Sequence, residues 1–74
     1  MAQTLRIHRP HDIVPHEVAT VVHNHMVDAD FDDAQWAVER AMESDVTIIH
    51  TKPGLQDSLE ANGLMMFVSL TTLD

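Results

Sequence analysis

Val46-Thr47-Ile48-Ile49-His50-Thr51 decides how this chain is parsed. The stretch is rich in β-branched side chains, lacks the charge pattern that supports a helix, and is closed by Lys52-Pro53-Gly54, so it reads as a strand. Upstream of it, Asp30 stands as an N-cap, with Asp32 and Asp33 in the first turn, where free N–H groups favour negative charge. Phe31, Ala34, Val38, Ala41 and Met42 then fall on one helical stripe. Trp36 lies two residues past Ala34, a rotation of roughly 200°, and so faces away from that stripe. An earlier helix begins at Pro15, whose missing N–H costs nothing in a first turn, with Glu17 placed well for the dipole. Its apolar residues are Val18, Val21, Val22 and Met26, with His16, Thr20, His23 and Asn24 towards the other side, and it is expected to end near Val27.

The chain opens with Leu5 and Ile7 alternating with Thr4, Arg6 and His8, the period of a strand over residues 4–9 that stops at Pro10. Downstream of the deciding stretch, Leu55 and Leu59 are four apart in a short third helix, and Asn62-Gly63 supplies residues that tolerate its left-handed ending. Leu64 to Leu70 is an apolar run with one polar member and is expected to form the last strand. The order is β-α-α-β-α-β. Helices on one face of a small three-stranded sheet let every element bury its stripe, so the expected fold is a two-layer α+β unit forming one domain over residues 1–74.

A unit of 74 residues, 45% of them apolar, buries only about 60% of the surface its unfolded chain exposes, so its core is thin. Four Lys+Arg against twelve Asp+Glu give a net charge of −8, which protonation of all six histidines would bring only to −2. Nucleic acid and anionic membrane surfaces are therefore excluded as partners, because both need cations this chain lacks. There is no cysteine, hence no disulfide framework, thiol nucleophile or thiolate metal site. Met1-Ala2-Gln3-Thr4 shows no basic stretch followed by a long apolar run, and the expectation is a soluble cytoplasmic protein. The thin core and strand edges left without neighbours make a homodimer one expected assembly.

Five of the six histidines lie between residues 8 and 25. Histidine is the commonest transition-metal ligand, so a site built from His8, His11 and Asp12 is weighed. The spacings oppose it: His16, His23 and His25 are not three or four apart, as one helical face requires, and His8 and His11 converge only if the loop folds back. No cofactor is expected. Asp28, Asp30, Asp32 and Asp33 form an acidic patch without the glycine and distal glutamate of a calcium loop; capping and a solvated turn explain it, and it can also dock a basic partner. Trp36, with Asp33, Glu39, Arg40 and Glu43 as helical neighbours, either anchors an interface or packs on a nearby loop or on the first helix. Ser44, Ser58 and Ser69 carry no nucleophile signature and there is no glycine-rich phosphate loop, so the chain reads as a non-enzyme.

His11-Asp12-Ile13-Val14-Pro15-His16-Glu17 resembles the acidic loop and helix start of the Clp protease adaptor (ClpS-like) family, matching at Asp12, Pro15 and Glu17. Asp30 and Ala34 also fall on that family's pattern without a gap, and the second strand arrives in register; after His50 only the order of elements is similar. The ribosomal stalk protein's C-terminal domain shares this order, and its third helix ends similarly to Leu59-Glu60-Ala61-Asn62-Gly63. The resemblance implies a small protein-binding module that engages a AAA+ unfoldase or another protein. It places Pro10, His11 and Met42 where the family holds an amino-terminal ammonium with Asn, Asp and His. Pro10 and Met42 lack the polar groups and a protonated His11 would repel a cation, so that pocket is not retained and only Asp12 carries over as a contact. The expected partner surface is Asp12 with Asp32, Asp33, Trp36, Glu39 and Arg40. Rival expectations are a ribosome- or translation-factor-binding module, an acidic inhibitor such as a virus directs at a basic host surface, and a histidine-based metal binder.

Overall fold

A computed structural model describes residues 1–44 and 46–73. Six regular elements follow one another as β1 (Ala2–Ile7), α1 (Pro15–His23), α2 (Phe31–Ser44), β2 (Thr47–His50), α3 (Leu55–Ala61) and β3 (Val68–Leu73), which is the α+β order expected. A single 3-10 turn, Pro10–Asp12, joins β1 to α1. The first strand of the sequence is central in space: the sheet runs β2-β1-β3 and is antiparallel throughout.

Alternation along β1 sets the two layers. Gln3, Leu5 and Ile7 are buried under the helices, whereas Arg6 faces the opposite side and is exposed. In β2 the inward residues are Thr47 and Ile49, and Ile48 between them is 60% exposed. Against this inner face sit Val18, Ala19 and Val22 of α1, Ala34, Ala37, Val38 and Ala41 of α2, and Leu55 and Leu59 of α3. Three of the four buried residues on α2 are alanine, so that helix approaches its neighbours closely, and it packs across β1, β2 and α1. The outer face of the sheet has no covering layer among the described residues.

Strand β1 covers Ala2–Ile7 and not residues 4–9, because Ala2 and Gln3 pair with both β2 and β3 while Arg9 takes a left-handed φ of 53°. Two later boundaries also differ from expectation, each because the main chain is captured by a tertiary partner. Helix α1 ends at His23, before Val27. The main chain of residues 25–27 leaves the helix to lie beside the end of β2: the Val27 N–H donates to the His50 carbonyl (3.0 Å), the Lys52 N–H donates to the His25 carbonyl (2.7 Å), and Met26 bridges to Thr51. Likewise β3 covers Val68–Leu73 and not residues 64–70. Leu64 belongs to the cap of α3. Gly63 there takes a left-handed φ of 71°, its N–H donates to the Glu60 carbonyl (3.0 Å), and the Leu64 N–H donates to the Leu59 carbonyl (2.8 Å). That is the paired bonding of a Schellman ending, with Leu59 and Leu64 both buried at the junction. A further turn, Val68 N–H to the Leu64 carbonyl (3.1 Å), delays the strand.

Thr51 is the polar knot of the interior. It is fully buried, it exchanges main-chain bonds with Met1 (2.8 Å each way), and its hydroxyl donates to Gln3 Oε1 at 2.6 Å. Thr47, its neighbour on the same face of β2, is also buried, but its hydroxyl has no partner. The two threonines should therefore respond oppositely to removal of the hydroxyl. Thr51→Val strands a buried amide oxygen and should lower the unfolding free energy by about 1–3 kcal/mol. Thr47→Val relieves an unpaired hydroxyl at nearly constant shape and should leave stability unchanged or raise it by up to about 1 kcal/mol. Urea unfolding of both variants measures the contrast; equal losses at the two positions would show that the Gln3–Thr51 bond contributes nothing.

Candidate functional site

Charge in this fold is segregated by secondary structure. None of the three strands contains a carboxylate, so all the acidic residues described lie on helices and loops. Helix α2 concentrates them, and its start shows why. The Asp33 N–H donates to Asp30 Oδ1 (2.9 Å) while the Asp30 N–H donates to Asp33 Oδ2 (3.2 Å), a reciprocal capping box built from two aspartates. Asp32 and Asp33 then lie in the first turn, where the helix dipole favours them.

With Ala34, Ala37, Val38 and Ala41 turned to the core, the exposed positions described on α2 form an outward face of Asp32, Asp33, Trp36, Glu39, Arg40 and Glu43. Of the two fates expected for Trp36, the structure has the outward one: the side chain is 58% exposed. Arg40, one turn on, lays its guanidinium over the indole with Cζ 5.0 Å from the ring centroid. At an exposed site such a contact contributes about 0.5–1 kcal/mol, enough to bias the rotamer of an otherwise free side chain. The Gln35 amide donates to Glu39 Oε1 at 3.4 Å on the adjoining side. Five of the six residues expected to contact a partner are thus brought onto one helix face. Asp12 is apart from them, in the turn after β1, where its Oδ2 accepts from Arg9 Nε at 2.9 Å. Both side chains of that pair are solvated, so it organises the turn and adds little stability.

The histidines diverge. His8 Nε2 lies 2.6 Å from Ser69 Oγ on the outer face of the sheet, and His11 is exposed in the 3-10 turn. His16 and His23, seven residues apart on α1, both flank Phe31 at the start of α2, with ring centroids 5.1 and 5.9 Å from its own. His25 is tied to two helices: its Nδ1–H donates to the Val21 carbonyl (3.3 Å), which leaves Nε2 to accept from the Ser58 hydroxyl (3.1 Å). Among the described residues no three histidine or acidic side chains converge where a metal ion could sit, so His8, His11 and Asp12 do not assemble the metal site weighed above. At the positions where an adaptor pocket would hold an amino terminus, Pro10 and His11 form the turn and Met42 packs against the core.

Sequence reasoning missed three features: the two-histidine clasp on Phe31, the His25–Ser58 bond, and an outer sheet face on which Arg6 and His8 share a shallow depression of about 230 Å³ with Thr4, Val46, Ser69 and Thr71. The i, i+7 spacing of His16 and His23 was a legible signal for the first. The other two depend on strand pairing and helix docking that no local pattern encodes. No described helix is long and apolar enough to cross a membrane. No protein-family model, curated protein or solved structure matches this chain.

Because Trp36 is the only tryptophan, its environment can be read directly. Native fluorescence should show the emission of a solvated indole, strong quenching by acrylamide, and little spectral shift on unfolding in urea. Trp36→Ala should change stability by no more than about 1 kcal/mol, since it removes a surface contact and no core volume. A blue-shifted, quencher-resistant native spectrum would mean that the indole is covered.

Proposed function

We propose that this chain is a small non-catalytic, cytoplasmic protein-binding module that recognises its partner through the outward face of α2. The observation that carries the reading is Trp36, held half out of the surface by Arg40 and surrounded by carboxylates. A large aromatic that contributes little to its own core, with its rotamer restrained, is the kind of side chain that dominates interface energetics once a partner desolvates it. The acidic surround of Asp32, Asp33, Glu39 and Glu43 steers association and selects a partner whose apolar pocket has a basic rim.

The order of elements and the residue matches through Asp12, Pro15, Glu17, Asp30 and Ala34 support an adaptor role resembling that of the Clp protease adaptors, with a AAA+ unfoldase as the first partner to try. Substitution of the ammonium-holding positions by Pro10, His11 and Met42 argues that the cargo is not chosen by a free amino terminus. The non-catalytic reading rests on the sequence, in which Ser44, Ser58 and Ser69 carry no nucleophile signature and there is no glycine-rich phosphate loop. A second reading, an acidic inhibitor that covers a basic protein surface, draws on the same segregation of carboxylates. Salt separates the two. The inhibitor, relying on many weak charge contacts, loses affinity steeply as ionic strength rises, whereas an anchor-driven complex loses little.

The test is affinity capture from host lysate with wild-type, Trp36→Ala and Asp12→Ala baits, followed by titration of the purified partner. A specific protein should be retained by the wild type and by Asp12→Ala, and its affinity for Trp36→Ala should fall by roughly 30-fold or more. Retention of the same protein by Trp36→Ala at undiminished affinity would remove α2 as the recognition surface.

A further inference from the structure

Hydrogen-bond parity along β1 determines what β3 offers to its outside. At one end of β1 the His8 N–H donates to the Phe67 carbonyl (2.6 Å). Bonded and non-bonded pairs alternate in an antiparallel ladder, so within the β1–β3 register the bonded pairs are Arg6 with Ser69, Thr4 with Thr71 and Ala2 with Leu73. The main-chain groups of Ser69, Thr71 and Leu73 are therefore used by β1, and those of Val68, Leu70 and Thr72 point away from it. The Val68 N–H turns back to the Leu64 carbonyl. Among the described residues nothing pairs with the N–H and C=O groups of Leu70 and Thr72.

Sheets normally blunt such an edge with a charge, a proline, a bulge or a short strand. Strand β3, Val68-Ser69-Leu70-Thr71-Thr72-Leu73, has none of these: it is six residues long, uncharged, free of proline, and in unbroken register with β1. The opposite edge is managed. There β2 has only four residues, and the strap of residues 25–27 occupies its end. One edge of the same sheet is protected and the other is left fit for pairing.

We propose that a second copy of this chain occupies the open edge, its β3 pairing antiparallel with the first about a two-fold axis at Leu70, so that the two sheets become one continuous sheet. A strand paired with itself about a two-fold axis is self-complementary by construction. In this register the two Leu70 residues exchange both main-chain bonds, and each Thr72 N–H reaches the carbonyl of the partner's Val68. The Leu70 side chains, half-buried at the rim of their own cores, meet on the helical side. Electrostatics agree. The carboxylates of α2, Asp32, Asp33, Glu39 and Glu43, lie over β1 and β2, across the sheet from β3, so in chains of charge −8 this acidic cluster does not face its counterpart across the seam. The same arrangement leaves Trp36 outside the seam.

Sedimentation equilibrium of the full chain over a concentration series tests this, with Thr72→Pro as the variant. Proline at residue 72 deletes an N–H that points outward and leaves the bonds to β1 intact. It should weaken self-association by roughly 30-fold, since the two-fold axis counts the loss twice, while the circular dichroism spectrum stays native. Amide hydrogen exchange supplies a readout that does not depend on the variant's folding. Leu70 and Thr72 should gain protection as wild-type concentration rises, whereas Val68, bonded within its own chain, should be protected at every concentration. A wild-type chain that stays monomeric throughout, or whose Leu70 and Thr72 amides exchange independently of concentration, overturns the proposal. So does a dimer that a folded Thr72→Pro variant forms equally well.

Discussion

Strand β1 is bonded on both sides, and the rest of the fold is built around that one commitment. Its alternate main-chain groups reach β2 on one side and β3 on the other, two segments that follow it in the chain only after long intervals. Closing those loops is entropically unfavourable, and side chains must offset the cost. The inward residues Leu5 and Ile7 do so by supplying the floor on which α1 and α2 rest. Thr51 completes the commitment at the far end of β2, where a buried hydroxyl bound to Gln3 and main-chain bonds to Met1 fix the register. A slip of one residue would bury Arg6 and Ile48 in place of Leu5 and Ile49, and the buried arginine alone would be prohibitive.

The order of elements could be read from the sequence because each element carries its own period. Leu5 and Ile7 repeat at two, the α2 stripe repeats at three and four, and Pro15, Asp30 and Gly63 mark ends whose causes are local. Rotation from Ala34 turns Trp36 away from the apolar stripe but does not decide whether it packs on a neighbouring segment, and the structure leaves it 58% exposed. What failed to show was every boundary set by a distant partner. Met26 and Val27 have the spacing and apolarity to continue α1, but main-chain bonds to the end of β2 capture that segment. Leu64 to Phe67 looks like a strand because it is apolar. Its backbone instead completes the cap of α3, and Met66 is left largely in solvent. Composition could not distinguish these outcomes, since an apolar run is equally compatible with a strand, a cap or a strap.

The histidines teach the same lesson about function. Their density between residues 8 and 25 invites a metal, yet the fold sends them in three directions: onto Ser69, onto Phe31 and onto Ser58. His8, His16, His23 and His25 each meet a neighbour on another element, while His11 is exposed in the 3-10 turn. In a chain without cysteine or tyrosine and with a thin core, imidazoles serve as flat, half-polar spacers at element junctions, a duty larger aromatics often take. Clustering in sequence is therefore weak grounds for a shared site.

Segregation of charge gives the molecule two unlike surfaces. The outward side of α2 is acidic and carries an exposed indole; the strands carry no carboxylate, and their outer face presents Arg6, Ile48 and a row of hydroxyls. A strongly charged surface is solvated in every direction and repels its own kind, so by itself it keeps chains apart. An uncharged strand edge does the reverse, offering directional bonds that any extended segment could use. Placing the acids across the sheet from the edge lets one small domain hold both properties without conflict. Repulsion disfavours a self-contact that would bring two α2 faces together and hide the indoles, whereas pairing at β3 keeps those faces apart. Taken with the proposed role of Trp36, self-association through β3 would duplicate the anchor on one sheet, so that a partner with repeated binding sites would meet two indoles.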